Sequence, residues 1–221
     1  MAYYKKIGVF LEPPGGTPDE AGTSAGGIPA PLSAAFARDL LERLDRLKKC
    51  AGTVFHRGGY PDGLDQCLPR NYTLASLEGS TAAERLYNAF TALLTEERDC
   101  AIIIGTCSPD LPLQYIKRAF LKLKHKDVVL GPAPRGGLYL AGLKYPPPPL
   151  FGHLPGGGET VFQDALDVIG RDNLSLALMP LWHVIASDAE VGLLKTLLHA
   201  RRLEKSGRLM NTEHELQRLY P

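Results

Sequence analysis

Residues 100–105, Cys-Ala-Ile-Ile-Ile-Gly, form an apolar run with no polar alternation. A strand with one wet face alternates apolar and polar side chains, so this run belongs to a strand covered on both faces. Further short apolar runs lie at 5–12 (KKIGVFLE), 52–56 (GTVFH), 127–133 (DVVLGPA), 137–143 (GLYLAGL) and 174–180 (LSLALMP), with a weaker one at 72–78 (YTLASLE). Between them the apolar spacing turns helical over 33–49, 80–97, 112–124 and 160–170, and again over 188–204 and near 211–219. Phe36, Leu40, Leu44 and Leu47 mark the first helix, with Ser33 as its expected cap. Thr81 and Glu84 have capping-box spacing, and Pro112 is expected at the first position of the third helix. Strands alternating with helices predict an α/β three-layer sandwich around a central mixed, mostly parallel sheet of Rossmann-like build.

Right-handed crossovers gather the carboxyl ends of parallel strands, and the loops after them, on one edge, where such sheets bind ligands. Four loops are expected there, over 12–32, 105–111, 131–137 and 180–188. The chain reads as one domain, residues 1–221, carrying two long Gly- and Pro-rich loops at 13–31 and 144–159. Net charge is +1, so no basic excess suits a nucleic-acid backbone and no acidic tail is present. Cys50, Cys67, Cys100 and Cys107 form no CxxC pair, which argues against zinc and for reduced thiols in a cytoplasmic protein. The amino-terminal apolar run is too short for a secretion signal, and no segment reaches membrane-spanning length.

The segment IIIGTCSPDLP, then DVVLGPAPRGGLYLAGL, then PPLFGHLP, resembles a bacterial group of small glycosyltransferase-like proteins. Their typical pattern is IGxDxPDLP, DVVLGPAEDGGYYLIGL and LFxxIPWST, with DVDT near the end. The resemblance runs from about residue 80 to about 195 and is most specific over 102–143. It implies the nucleotide-diphospho-sugar transferase (GT-A) fold, with a nucleotide or nucleotide-sugar as ligand. It also implies magnesium or manganese, held by a strand-end carboxylate against the diphosphate.

The implied ligand positions are altered in this chain. The strand-end aspartate falls at Cys107, the Glu-Asp pair at Pro134 and Arg135, and the Trp-Ser-Thr at Gly156, Gly157 and Gly158. The late Asp-Val-Asp falls at Val184, Ile185 and Ala186, and residues 7–37 contain no lysine or arginine. The backbone-shaping residues stay: Pro109, Asp110, Leu111, Pro112, Gly136, Gly137, Tyr139, Leu140, Gly142 and Leu143. With the ligand carboxylates missing, no metal cofactor is expected.

The expected ligand-binding set is Pro14, Gly15, Gly16, Thr106, Cys107, Ser108, Asp110, Arg135, Gly136 and Gly137. Loop amides at 14–16 would face phosphate, without the Gly-Lys-Ser/Thr ending of a P-loop. Arg135 would contact an anion directly, or face water. Asp110 is expected to accept amides at the start of the third helix, with a metal contact as the alternative. Cys107 is a weak candidate nucleophile, with His56, His153 or His183 as conceivable partners, and otherwise a small semi-buried thiol. The basic stretch HARRLEKSGR, 199–208, reads as a solvated helix end. Three functions follow in order of preference: a glycosyltransferase-like protein with impaired metal-dependent catalysis, a non-catalytic ligand- or protein-binding relative, and a cysteine-dependent enzyme.

Overall fold

The computed structural model describes residues 4–11, 27–154 and 160–220, with only the backbone of His153. Seven strands form one sheet: β1 (Tyr4–Phe10), β2 (Cys50–His56), β3 (Tyr72–Ser76), β4 (Asp99–Gly105), β5 (Val128–Pro132), β6 (Leu138–Lys144) and β7 (Leu176–Leu178). Their order is β3-β2-β1-β4-β6-β5-β7. β6 runs antiparallel to both its neighbours, and the other pairs are parallel. The link between β5 and β6 is too short for a crossover, so β6 must reverse direction. Six α-helices accompany the sheet among the described residues: α1 (Ala30–Leu44), α2 (Ala82–Leu93), α3 (Leu113–Leu123), α4 (Val161–Arg171), α5 (Asp188–Leu203) and α6 (Met210–Leu219). This is the mixed, mostly parallel three-layer arrangement that the alternating runs predict.

Strand β4 shows why its sequence does not alternate. Ile102 and Ile104 pack with Ile7, Leu40 and Leu44 of α1, and with Ile116 and Phe120 of α3. Ala101 and Ile103 point the other way, into Phe90 and Leu93 of α2 and Val168 of α4. Both faces are dry, so alternation would place a polar group in hydrocarbon. A third cluster lies beyond the sheet, where Leu32 and Phe36 of α1 meet Val191, Leu194 and Leu198 of α5. Leu209, and Leu216 of α6, close it.

The Thr81–Glu84 capping box forms as the spacing predicts. Ser33 does not cap α1. The helix begins three residues earlier, after Pro29, and Ser33 is buried within it. Pro31 fits the first turn because its missing N–H has no helical partner there. Pro112 takes the cap position of α3 rather than the first helical one, and the strand expected over 174–180 contracts to Leu176–Leu178.

Asp99, buried where β4 starts, accepts from Lys6 Nζ at 2.7 Å, Thr95 N–H at 2.9 Å and Glu96 N–H at 2.8 Å. Burial pushes its carboxyl up, but the ammonium and the two amides outweigh it and hold the group below its ordinary value. A carboxyl lowered on folding stabilises the protein above its unfolded pKa, about 3.9, and loses that contribution as pH falls through the folded value. Urea midpoints should therefore show the wild type's advantage over Asp99→Asn greatest above pH ~4 and shrinking below it. A constant difference down the acid series would contradict the assignment.

Candidate functional site

The sheet changes direction at β1: β2 and β3 follow on one side, and the chain returns to β4 on the other. Such a switch point leaves a crevice outside the carboxyl ends of the two strands. Here those ends are Phe10 and Gly105, paired in register, and Thr106 N–H donates to the Phe10 carbonyl at 3.1 Å. Of the expected ligand residues, Pro14, Gly15 and Gly16 lie outside the described residues.

The turn after β4 is buried. Thr106, Cys107, Ser108 and Asp110 are each no more than 4% exposed. Segment 183–185 runs beside it: Ile185 N–H donates to the Cys107 carbonyl at 2.8 Å, and Ser108 Oγ donates to the His183 carbonyl at 2.8 Å. The two places where the family resemblance implies carboxylates thus lie side by side. Cys107 instead shares the third apolar cluster with Ile28, Leu32, Phe36 and Ile185, which stands at the valine of the late pattern, and Val184, at one of its aspartates, packs against that cluster. Magnesium and manganese take oxygen ligands, whereas a buried thiol among alkyl groups supplies none. The residues present do not fit a divalent cation at this point. Among the described residues, no group of three or more His, Cys, Asp or Glu side chains is placed to hold one. None of the four cysteines is in a disulfide.

Asp110 has a different role from the one its position suggests. Its Oδ1 lies 2.8 Å from His183 Nε2, and its Oδ2 accepts from Arg201 of α5 at 2.8 Å. Arg43 of α1 donates to the Pro109 and Leu111 carbonyls, both at 2.7 Å. Two guanidiniums therefore clamp the Pro-Asp-Leu-Pro turn. The expected bonds from Asp110 to the amides of α3 are not made, and α3 begins without a side-chain cap. Bonds from a guanidinium are charge-assisted and outcompete neutral amides for the same oxygens. Burial lowers the Arg43 pKa; Asp110 opposes that shift and Arg201 adds to it.

Arg43, Arg201 and the inward turn of His183 are the residues that sequence reading misses. The basic stretch at 199–208 reads as a solvated helix end. In the structure Arg201 points to Asp110, while Arg202 and Arg208 both reach the buried Glu213 at 2.9 and 2.8 Å. Of the histidines considered for Cys107, His183 is bonded to Asp110 and stacks on Trp182 at 4.8 Å. His56 lies against Tyr60 at 5.1 Å.

The turn between β5 and β6 carries Arg135, Gly136 and Gly137. Arg135 has φ 59° and Gly136 φ 76°, both left-handed, and Ala133 N–H donates to the Gly137 carbonyl at 2.8 Å to close the turn. The Arg135 guanidinium is 58% exposed and 3.3 Å from Glu190 of α5. Gly131 has a separate purpose: a Cβ there would come within 2.6 Å of the Tyr139 ring. Its absence lets Tyr139 cross β5 and donate its hydroxyl to the Pro180 carbonyl at 3.0 Å.

The profile of a family described as "uncharacterized protein conserved in bacteria (DUF2064)" matches residues 39–157, more than half the chain and both of these turns. The chain belongs to this family. No curated protein matches it. Among solved structures, this DUF2064 member is similar to a protein from Desulfovibrio desulfuricans G20, provisionally described as a nucleotide-diphospho-sugar transferase. The two are 21% identical with a TM-score of 0.73 over 99% of this chain and 97% of that one. A 4-diphosphocytidyl-2C-methyl-D-erythritol synthase from Anaerococcus prevotii DSM 20548 is 9% identical, with a TM-score of 0.60 over 89% and 99%. CMP:2-keto-3-deoxy-manno-octonic acid synthetase, solved with CTP, is 9% identical with a TM-score of 0.53 over 91% and 100%. The fold is that of the nucleotide-diphospho-sugar transferases and related nucleotidyltransferases.

Proposed function

We propose that the chain binds a nucleotide or nucleotide-sugar in the crevice at the ends of β1 and β4, and that its metal-dependent glycosyl transfer is impaired or absent. The first part is supported by the switch-point geometry and by a fold shared with a synthetase that was solved with CTP. The second is carried by one observation: of the implied carboxylate positions, Cys107 buries its thiol in an apolar cluster and Val184 packs against that cluster, while Ala186 has no polar side-chain atom. A departing diphosphate needs positive charge beside it. Arg135 is the candidate here. Its half-exposed pair with Glu190 is worth only ~0–1 kcal/mol, so a phosphate can displace the carboxylate. The turn amides of 135–137 would position the ligand.

Thermal shift tests this reading. A ligand at one hundred times its dissociation constant adds about 2.7 kcal/mol, or roughly 5 °C or more for a chain this size. CTP or UDP-glucose is expected to raise the melting temperature equally with and without millimolar Mg²⁺ or Mn²⁺. A rise of several degrees that appears only with metal and nucleotide together would overturn the metal-independent reading.

A further inference from the structure

A second concave site lies at the opposite edge of the sheet. Lys5 pairs in register with Cys50 and Cys100, at the amino ends of β1, β2 and β4. The crevice at Phe10 is five residues further along β1, roughly 17 Å away at 3.3 Å per residue. The cleft has a volume of about 310 Å³. Its wall carries Lys5 of β1, Arg46, Lys48 and Lys49 of the α1–β2 connection, and Lys117 of α3. Its floor is the buried Leu47, Cys50, Ile116 and Phe120. Among the described residues, five cations and no carboxylate line it, in a chain whose net charge is only +1.

None of the five makes an ion pair within the described residues, although most buried carboxylates elsewhere in the fold hold a cation. Asp45, next to Arg46 in sequence, does not line the cleft. Like charges gathered without counter-charge repel one another and focus a positive potential into the concavity. An anion placed there relieves that repulsion, and phosphate oxygens match both guanidinium and ammonium donors. The floor adds a second requirement. Ile116 and Phe120, one turn apart on α3, present hydrocarbon at the base of the charged wall, and Lys5 Nζ sits 5.6 Å from the Phe120 ring centroid. Bare phosphate would leave this surface wet. A cleft of this size is at the small end of ligand pockets, suited to one phosphate group and a modest carbon skeleton.

We propose that this cleft binds an organic phosphate ester, with its phosphate on Arg46, Lys48, Lys49 and Lys117 and its carbon part on Ile116 and Phe120. The site is independent of the crevice at the other edge. The ester can be a free metabolite or the headgroup of an anionic lipid.

Titration calorimetry with phenyl phosphate and with inorganic phosphate, and co-sedimentation with phosphatidylglycerol–phosphatidylcholine vesicles, test the proposal. The full-length protein is compared with the exposed double variant Lys48→Glu/Lys117→Glu. Arg70→Glu/Lys205→Glu, which changes net charge equally outside the cleft, is the control. Phenyl phosphate is expected to bind more tightly than inorganic phosphate. The cleft variant should weaken it on the order of tenfold or more, with the control unchanged. Binding in solution assigns a free ester, whereas sedimentation with vesicles alone, lost in the cleft variant, assigns a headgroup. No binding in either arm, equal affinity for the two phosphates, or equal loss in the control overturns the proposal. Any thermal shift by CTP should persist in the cleft variant, so failure here is distinguishable from failure of the nucleotide reading.

Discussion

Asp110→Ala is expected to lower the melting temperature by on the order of 10 °C. The carboxylate is 1% exposed and takes hydrogen bonds from Arg201 and His183, both at 2.8 Å. Removing one member of a buried ionic cluster leaves its partners uncompensated, which typically costs about 3–5 kcal/mol. For a chain of this size each kcal/mol moves the midpoint about 2–4 °C. Arg43 would still donate to the Pro109 and Leu111 carbonyls, so the turn should persist in looser form. Calorimetry of the Ala and Asn variants without added metal checks this. A carboxylate kept chiefly for a cation would leave stability unchanged or improved when removed, because its own desolvation would be relieved. That outcome would return Asp110 to the list of metal ligands.

Asp39→Ala should cost about 3 kcal/mol and loosen the carboxyl-terminal helix. Asp39 lies inside α1 at 2% exposure. Its Oδ1 accepts from Asn211 N–H at 3.1 Å and Asn211 Nδ2 at 2.9 Å, and its Oδ2 accepts from Thr212 N–H at 2.7 Å. One carboxylate thus satisfies the start of α6 and fixes it to α1, where anionic charge also suits the helix dipole. Without it the buried Thr212 amide loses its partner. Leu216 of α6 belongs to the cluster that covers Cys107, so the effect should be chemically visible. In the wild type iodoacetamide should reach the half-buried Cys67 before the buried Cys107. In Asp39→Ala, Cys107 should react distinctly faster. Lower stability with an unchanged Cys107 rate would show that α6 does not wall the site.

The layers of this fold were legible because they follow from periodicity and local capping. The unalternating β4 required two dry faces, and Thr81 and Glu84 announced α2 by spacing alone. The site was legible only in its turns. Gly136, Gly137 and the Pro-Asp-Leu-Pro segment shape backbone through their own conformational limits, which a sequence displays directly. What secures those turns was not legible. Arg43 and Arg201 are 66 to 91 residues from the groups they hold, and an arginine on a helix reads the same whether it faces water or a buried carboxylate. The approach of Cys107 to the segment carrying Val184 and Ala186 likewise arises from tertiary contact, although each substitution was visible singly.

The cluster behind Cys107 also joins chain segments made far apart in time. It needs residues 28–36 and also 185–216, while a ribosome delivers the amino end first. All seven strands are synthesised before α6, so a nascent chain can hold its sheet while one side of the 105–111 turn still faces solvent. Quality-control proteases would meet that half-walled form, which makes the docking of α6 the step that seals this turn.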